Sequence, residues 1–161
     1  TRYKRDWNLE TKNLFPRWDE LPVLDLYLDQ VLLYVNKVCM PAFTASDKGL
    51  TASMINNYVK HGYLEKPLKK KYNRQQVARL IAITSLKTVF SIQDIAATLD
   101  MLNAETQSEE LYNNFVDYMN GQKLEVTPII ASACQTLKLY QQTLAFIQVP
   151  EKEVDNDELR A

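Results

Sequence analysis

The sequence predicts an all-α fold with one short β wing, on three observations. Apolar residues recur at helical spacing along most of the 161-residue chain, and residues that cap helices precede these stretches. Between two of the stretches, residues 65–73 contain Pro67 and alternate only loosely, which favours a short hairpin or loop. Because 46% of the residues are hydrophobic, the chain can bury a core without disulfides or metals.

The first helix is predicted between residues 21 and 40. Asp19 can cap it, Pro22 is tolerated in its first turn, and Pro41 ends it. Its apolar positions recur at helical spacing and are Leu24, Leu28, Val31, Leu32, Val35 and Val38. We expect residues 1–20 to form an irregular N-terminal arm whose aromatic rings pack against the body.

Three capped helices are predicted after the first. Thr51 caps a helix that runs to about His61, and Gly62 stands at the left-handed position behind it. Asn73 caps the next helix, and Ser91 caps one that ends near residue 102. We assign residues 21–102 to one domain built from these helices and the wing.

The C-terminal part is predicted to contain two more helices, a polar one over residues 108–120 and one from Pro128 to about residue 148. The last helix carries an apolar stripe that either completes the core or forms a homodimer seam, and its members are Ile129, Ile130, Ala133, Leu137, Tyr140 and Leu144. We assign residues 103–149 to a C-terminal helical extension. Residues 150–161 form an acidic tail that we expect to be disordered.

Charge is distributed unevenly along the chain. The formal net charge is -1, but residues 48–90 contain nine bases and one acid, a net charge of +8. Residues 91–161 contain 12 acids and four bases. The basic segment can therefore meet the phosphates of a nucleic acid, whereas the acidic half would be repelled by them.

Several classes of protein are disfavoured by what the sequence lacks. It has three glycines and no Gly-rich phosphate loop, no paired carboxylates in an apolar setting, and no nucleophile beside a base, so we do not expect an enzyme. Cys39 and Cys134 lack partners at metal-ligand spacing, so we expect buried free thiols in a reducing cytoplasm and neither a metal site nor a cofactor. No apolar run is long enough to span a membrane.

The strongest functional candidate is the helix at residues 51–61 together with the basic segment behind it. Ser53, Asn56 or Asn57, and Lys60 can share one face of that helix, with its apolar residues turned inward. In the major groove of DNA an Asn side chain can form two hydrogen bonds with adenine, and the lysines behind the helix would hold nearby phosphates. The candidate DNA contacts are Thr51, Ser53, Asn56, Asn57, Tyr58, Lys60, Lys69, Lys70, Lys71, Tyr72 and Arg74.

Simpler interpretations of these residues stay open. An isolated Asn pair is more often a polar helix surface, and a lysine run is more often a solvated loop. Tyr58 and Tyr72 are expected first as core or hinge aromatics, with a phosphate contact as the minor alternative. His61, the single histidine, is expected to cap its helix rather than to act in catalysis.

The order of the motifs resembles the DNA-binding domain of the MerR family. That family has a recognition helix, a Gly-Leu-Leu stretch, a proline, a basic wing and a second helix pair, and the matching stretches here are Ile55-Asn56-Asn57-Tyr58, Gly62-Tyr63-Leu64, Pro67, Lys71-Tyr72 and residues 90–95. The resemblance implies a winged helix-turn-helix followed by C-terminal helices. Three features depart from the family. Asn56 and Asn57 replace an Arg and a Tyr, the wing is short, and the first helix has to be supplied by residues 21–40 across a longer loop.

A second resemblance covers most of the chain. Its motifs are similar to those of DUF1836, a family of bacterial proteins of unknown function, and they are Pro16-Arg17-Trp18, residues 26–31, Leu50-Thr51, residues 54–60 and Lys69-Lys70-Lys71-Tyr72. This resemblance also implies a MerR-like helix-turn-helix, but no reaction, ligand or operator.

From the residues and the resemblances we expect a cytoplasmic transcriptional regulator that binds double-stranded DNA. The helix at residues 51–61 would enter the major groove, and the wing at residues 66–74 would contact phosphates. A homodimer through the C-terminal helices would match a symmetric operator, and the sequence does not identify an effector. The alternative is a protein-interaction module that kept the fold without DNA binding.

Overall fold

The computed structural model describes residues 15–40, 49–123 and 125–148, and this part of the chain is mostly helical. In chain order its elements are a 3-10 turn (Trp18–Glu20), β1 (Leu26–Tyr27), α1 (Leu28–Cys39), α2 (Ala52–Lys60), β2 (Lys71–Tyr72), α3 (Arg74–Leu86), α4 (Ile92–Asn103), α5 (Ser108–Met119) and α6 (Pro128–Gln148). The predicted all-α fold with a short β wing is thereby confirmed. The predictions for residues 1–14 and for the acidic tail lie outside the described residues.

The predicted starts of α2, α3 and α4 are confirmed by hydrogen bonds. In each case the side-chain oxygen of Thr51, Asn73 or Ser91 accepts from the backbone N–H three residues later, at 3.2, 2.9 and 3.2 Å. The Gln76 side chain also accepts from the Asn73 N–H at 2.8 Å, which completes a capping box. Behind α2, Gly62 has a φ of +75°, the left-handed conformation that its position predicts.

The predicted start of the first helix is wrong, because α1 begins at Leu28. The two residues before it form β1, which pairs antiparallel with β2 in the register Leu26↔Tyr72 and Tyr27↔Lys71. The Gln30 side chain accepts from the Tyr27 N–H at 2.9 Å and so caps the helix at this later position. Leu24, which the predicted stripe placed on the buried face, is 80% exposed.

The core is organised around α3. Ten of the eleven positions from Gln76 to Leu86 are buried, the exception being Arg79. Helices α1, α4, α5 and α6 all contact this helix. A helix buried on nearly every side needs apolar or small residues all round, which is the composition of this segment. One continuous cluster of buried residues extends from Phe15 to Leu137, so the described elements share a single core.

The last helix packs against this core through its first half only. Ile130, Cys134 and Leu137 are buried, so this part of the predicted apolar stripe completes the core. In the second half Leu139 is 62% exposed and Phe146 is 72% exposed. Across the described residues, no helix is both long and apolar enough to cross a membrane.

The segment at residues 15–20 is fastened to α5, as expected for aromatic rings that pack against the body. The Phe15 and Phe115 rings lie 5.5 Å apart, and those of Trp18 and Tyr112 lie 6.1 Å apart. Four polar contacts join residues 15–18 to α5 and its C-terminal cap. They are the Arg17 ion pair with Asp117, the Trp18 backbone N–H to the Asn113 side-chain oxygen at 2.9 Å, the Tyr112 O–H to the Pro16 carbonyl at 2.7 Å, and the Asn120 side-chain amide to the Phe15 carbonyl at 3.0 Å.

Both cysteines are buried free thiols, and burial raises the pKa of Cys39 and of Cys134 to about 12. We predict that neither thiol reacts with a disulfide reagent at pH 8 until the protein unfolds, since the thiolate is the reactive form. Below about pH 9 both thiols are protonated in the folded and the unfolded protein, so they do not change the free energy of unfolding. Between about pH 9 and pH 12 only the thiols of the unfolded chain ionise, which lowers the free energy of unfolding. Timed thiol labelling with and without urea measures the reactivity of the two thiols. Rapid labelling of the folded protein would contradict the prediction.

Candidate nucleic-acid interface

Helix α2 presents one polar face to solvent. Ser53, Asn56, Asn57 and Lys60 are all exposed, and their spacing of three, one and three residues places them on the same side of the helix. Ile55 and Tyr58 on the other side are buried in the core. The helix therefore offers two amides, a hydroxyl and an ammonium group over its nine residues, which is about 13 Å of axis.

The entry to α2 is fixed by a side chain from α1. The Asn36 amide donates to the Leu50 carbonyl at 2.9 Å and accepts from the Leu50 N–H at 2.8 Å. Leu50 itself is 3% exposed. Because both backbone groups of Leu50 are bonded to one amide, the orientation of α2 relative to α1 is set immediately before the Thr51 cap.

The connection from α2 to β2 is held against α3. The N–H groups of Tyr63 and Leu64 both donate to the Tyr58 carbonyl, which closes the end of α2. From α3, Arg79 donates to the Tyr63 carbonyl at 2.7 Å, and the Gln76 amide donates to the carbonyls of residues 65 and 66 at 2.9 and 3.3 Å. The helix and the lysines that follow it are therefore joined to one buried support.

The lysine run forms a tight hairpin. Leu68 and Lys71 exchange two backbone hydrogen bonds of 3.1 and 3.0 Å, and Lys69 and Lys70 between them have φ values of +50° and +65°. Two residues with positive φ between such a pair define a type I′ turn, the two-residue connection that suits the twist of paired strands. Lysine is not a residue that this turn favours, so the loop exposes two cations at a conformational cost of about 1 kcal/mol for each residue.

Lys48 lies outside the described residues, and the structure divides the other eight bases of the positive segment into two groups. Five lysines are exposed, and they are Lys60, Lys66, Lys69, Lys70 and Lys71. Of these, Lys71 lies over the Tyr27 ring with its Nζ 5.0 Å from the centroid. The second group is half-buried. Arg74 donates to the Leu21 carbonyl at 3.3 Å, Arg79 contacts Asp100 at 2.9 Å, and Lys87 donates to the Met54 sulfur at 3.6 Å.

Four of the candidate contacts are engaged within the fold. Tyr58 is 4% exposed and Tyr72 is 3% exposed, so both rings belong to the core, and burial raises the pKa of each phenol. Arg74 is half-buried with its Nε away from solvent, and the Thr51 hydroxyl caps α2. The side chains that remain open to a ligand are those of Ser53, Asn56, Asn57, Lys60, Lys69, Lys70 and Lys71.

His61 lies at the C-terminal end of α2. Its N–H and its Nδ1 both contact the Asn57 carbonyl, at 3.0 and 2.9 Å, and its ring stacks on Tyr63 at 5.7 Å. These contacts agree with the capping role expected for this residue. Across the described residues, no three histidine, cysteine or acidic side chains are grouped as metal ligands.

Sequence reasoning missed the residues that support this surface. Asn36, Gln76 and Arg79 bond to backbone groups that lie 14, 10 or 11, and 16 positions away in the chain. Only Gln76 carried a local signal, because it stands three residues after the Asn73 cap, where a capping box has its Glu or Gln.

Comparison with known protein families matches residues 16–115 to a family described as a domain of unknown function, DUF1836. The match spans more than half of the chain and includes β1, α1 to α4, β2 and most of α5. No curated protein and no solved structure matches the chain. The chain therefore belongs to the DUF1836 family.

Proposed function

We propose that this protein is a transcriptional regulator in the bacterial cytoplasm that binds double-stranded DNA with a MerR-like winged helix-turn-helix. One observation carries the proposal: the exposed amides of α2 and the exposed lysines of the hairpin are joined to the same buried helix, α3. A rigid polar helix can enter a major groove while a basic wing contacts phosphates. Asn56 and Asn57 would read bases, and Lys69, Lys70 and Lys71 would supply most of the salt-dependent affinity.

We extend the proposal to a homodimer through the second half of α6. This helix contains a single charged residue, Lys138, and its last ten residues contain none. The exposed residues there include Leu139, Phe146 and Ile147. A group of large apolar side chains exposed to water is typical of an interaction surface. A second copy is the partner that fits, because two recognition helices related by a two-fold axis match the symmetry of an operator.

The function is tested by selecting bound sequences from random duplex DNA. We predict an enriched motif, and Asn56→Ala or Asn57→Ala is expected to weaken binding to it by about 10-fold to 100-fold. Affinity for unrelated DNA should change little, because that binding comes from phosphate contacts. Gln93→Ala, an exposed amide on α4, is the matched control. Failure to enrich any motif, or Asn variants that select the wild-type motif with wild-type affinity, would refute sequence-specific reading.

A protein partner is the second candidate, and exposed apolar side chains near the small sheet favour it. Val23 is 81% exposed, Leu24 is 80% exposed, and Leu68 in the hairpin is 77% exposed. Apolar groups in such a position are typical of a protein-binding surface. Pull-down from cell extract with and without nuclease separates the two functions, since a complex that DNA mediates is lost when the DNA is digested.

A further inference from the structure

A deep cleft opens beside α3, on a different set of residues from the exposed face of α2. Its volume is about 1130 Å³, and its walls come from α3, α4, α5, the start of α6 and the segment after α2. Cavities of this order hold drug-sized molecules. None of the residues proposed above to contact DNA lines it.

Aromatic rings and small apolar groups form much of the cleft wall. The rings are those of Trp18, Tyr63, Phe90, Tyr112 and Phe115. Aromatic faces attract cations through their quadrupole, and the attraction is strongest where water is excluded. The wall therefore suits a molecule that is apolar over most of its surface and carries a positive charge.

The charged groups around the cleft have the complementary sign. Four carboxylates line it, those of Glu65, Asp94, Asp100 and Glu109, and all four residues are exposed. The single cation among the lining residues is Arg79, which already contacts the Asp100 carboxylate at 2.9 Å and the Tyr63 carbonyl at 2.7 Å. Three acids thus remain to meet a cationic ligand, and an anionic ligand would meet repulsion.

We propose that this cleft is a binding site for lipophilic organic cations. The apolar part of the ligand packs against the aromatic wall, and its charge faces Asp94 and Glu109. The site does not depend on the DNA-binding proposal, because binding is measured on the protein alone.

Two ions of the same shape and opposite charge test the proposal, tetraphenylphosphonium and tetraphenylborate. Calorimetric titration of the full chain is expected to show one cation bound per chain and an affinity at least about tenfold above that for the anion. Equal affinities, or a preference for the anion, would overturn the charge argument. Binding of neither ion would overturn the site.

Matched variants locate the bound cation. Thr98→Trp places a large ring in the cleft and should abolish binding, whereas Ala97→Trp, on an exposed neighbour outside the cleft, should leave it unchanged.

Removing the carboxylates tests the charge preference. The double variant Asp94→Asn with Glu109→Gln should reduce the preference for the cation to within about threefold. Asp25→Asn with Glu110→Gln removes the same charge from exposed sites outside the cleft and should retain the preference. Binding unaffected by Thr98→Trp, or a preference unaffected by the first double variant, would refute the assignment.

Discussion

Replacing Lys69 with Asn and Lys70 with Gly should make the protein more stable and at the same time weaken the proposed binding to DNA. Asn-Gly is the sequence that a type I′ turn prefers, and both positions have positive φ here, so we expect a gain of about 1 kcal/mol in the free energy of unfolding. On the proposed function this variant loses two phosphate contacts, so the slope of log affinity against log salt should fall by about 1.8. At low salt the affinity should fall by about 10-fold to 100-fold.

The opposite signs of these two effects make the experiment decisive, because weaker binding could not be attributed to unfolding. Urea unfolding measures the first effect, and DNA titrations at several salt concentrations measure the second. Lys37→Asn with Lys123→Asn removes the same charge from two exposed sites outside the hairpin and is the control for net charge. If the hairpin variant and the control bind DNA equally well, the hairpin does not contact phosphates.

Local chemistry predicted most of the helices. A cap such as Thr51 or Asn73 acts within three residues, so its hydrogen bond can be anticipated from the sequence alone. The start of α1 was mispredicted because β1 has only two residues and exists through its pairing with β2, about 45 positions later in the chain. Apolar spacing over residues 24–38 is compatible with a longer helix, and only the distant strand decides between the two.

The polar face of the candidate interface could be predicted, but its support could not. Ser53, Asn56 and Lys60 follow helical spacing, which a sequence displays directly. Asn36 and Arg79 act on backbone groups 14 and 16 positions away, and no local pattern marks an amide or a guanidinium for such a contact. The positive φ of Lys69 and Lys70 was also hidden, since lysine is an unusual choice for a type I′ turn.

Arg17→Ala should lower the free energy of unfolding by about 2 kcal/mol. Arg17 bonds both carboxylate oxygens of Asp117, and the Asp117 residue is only 8% exposed. The contact also raises the pKa of Arg17, chiefly through the hydrogen bond to Asp117. Removing one member of a buried pair leaves the other charge without compensation, but the Arg17 side chain is 43% exposed, so water reduces the loss below that of a fully buried pair.

The charge left behind is expected to account for about half of this effect. The double variant Arg17→Ala with Asp117→Asn should therefore be more stable than Arg17→Ala alone by about 1 kcal/mol, because a neutral amide is less costly to bury than a carboxylate. Urea unfolding of the wild type, both single variants and the double variant forms the thermodynamic cycle. Lys37→Ala, on the exposed surface of α1, controls for the loss of a cation. A double variant less stable than Arg17→Ala would show that the Asp117 carboxylate finds another partner when Arg17 is absent. It would contradict the prediction that Arg17 neutralises a buried charge.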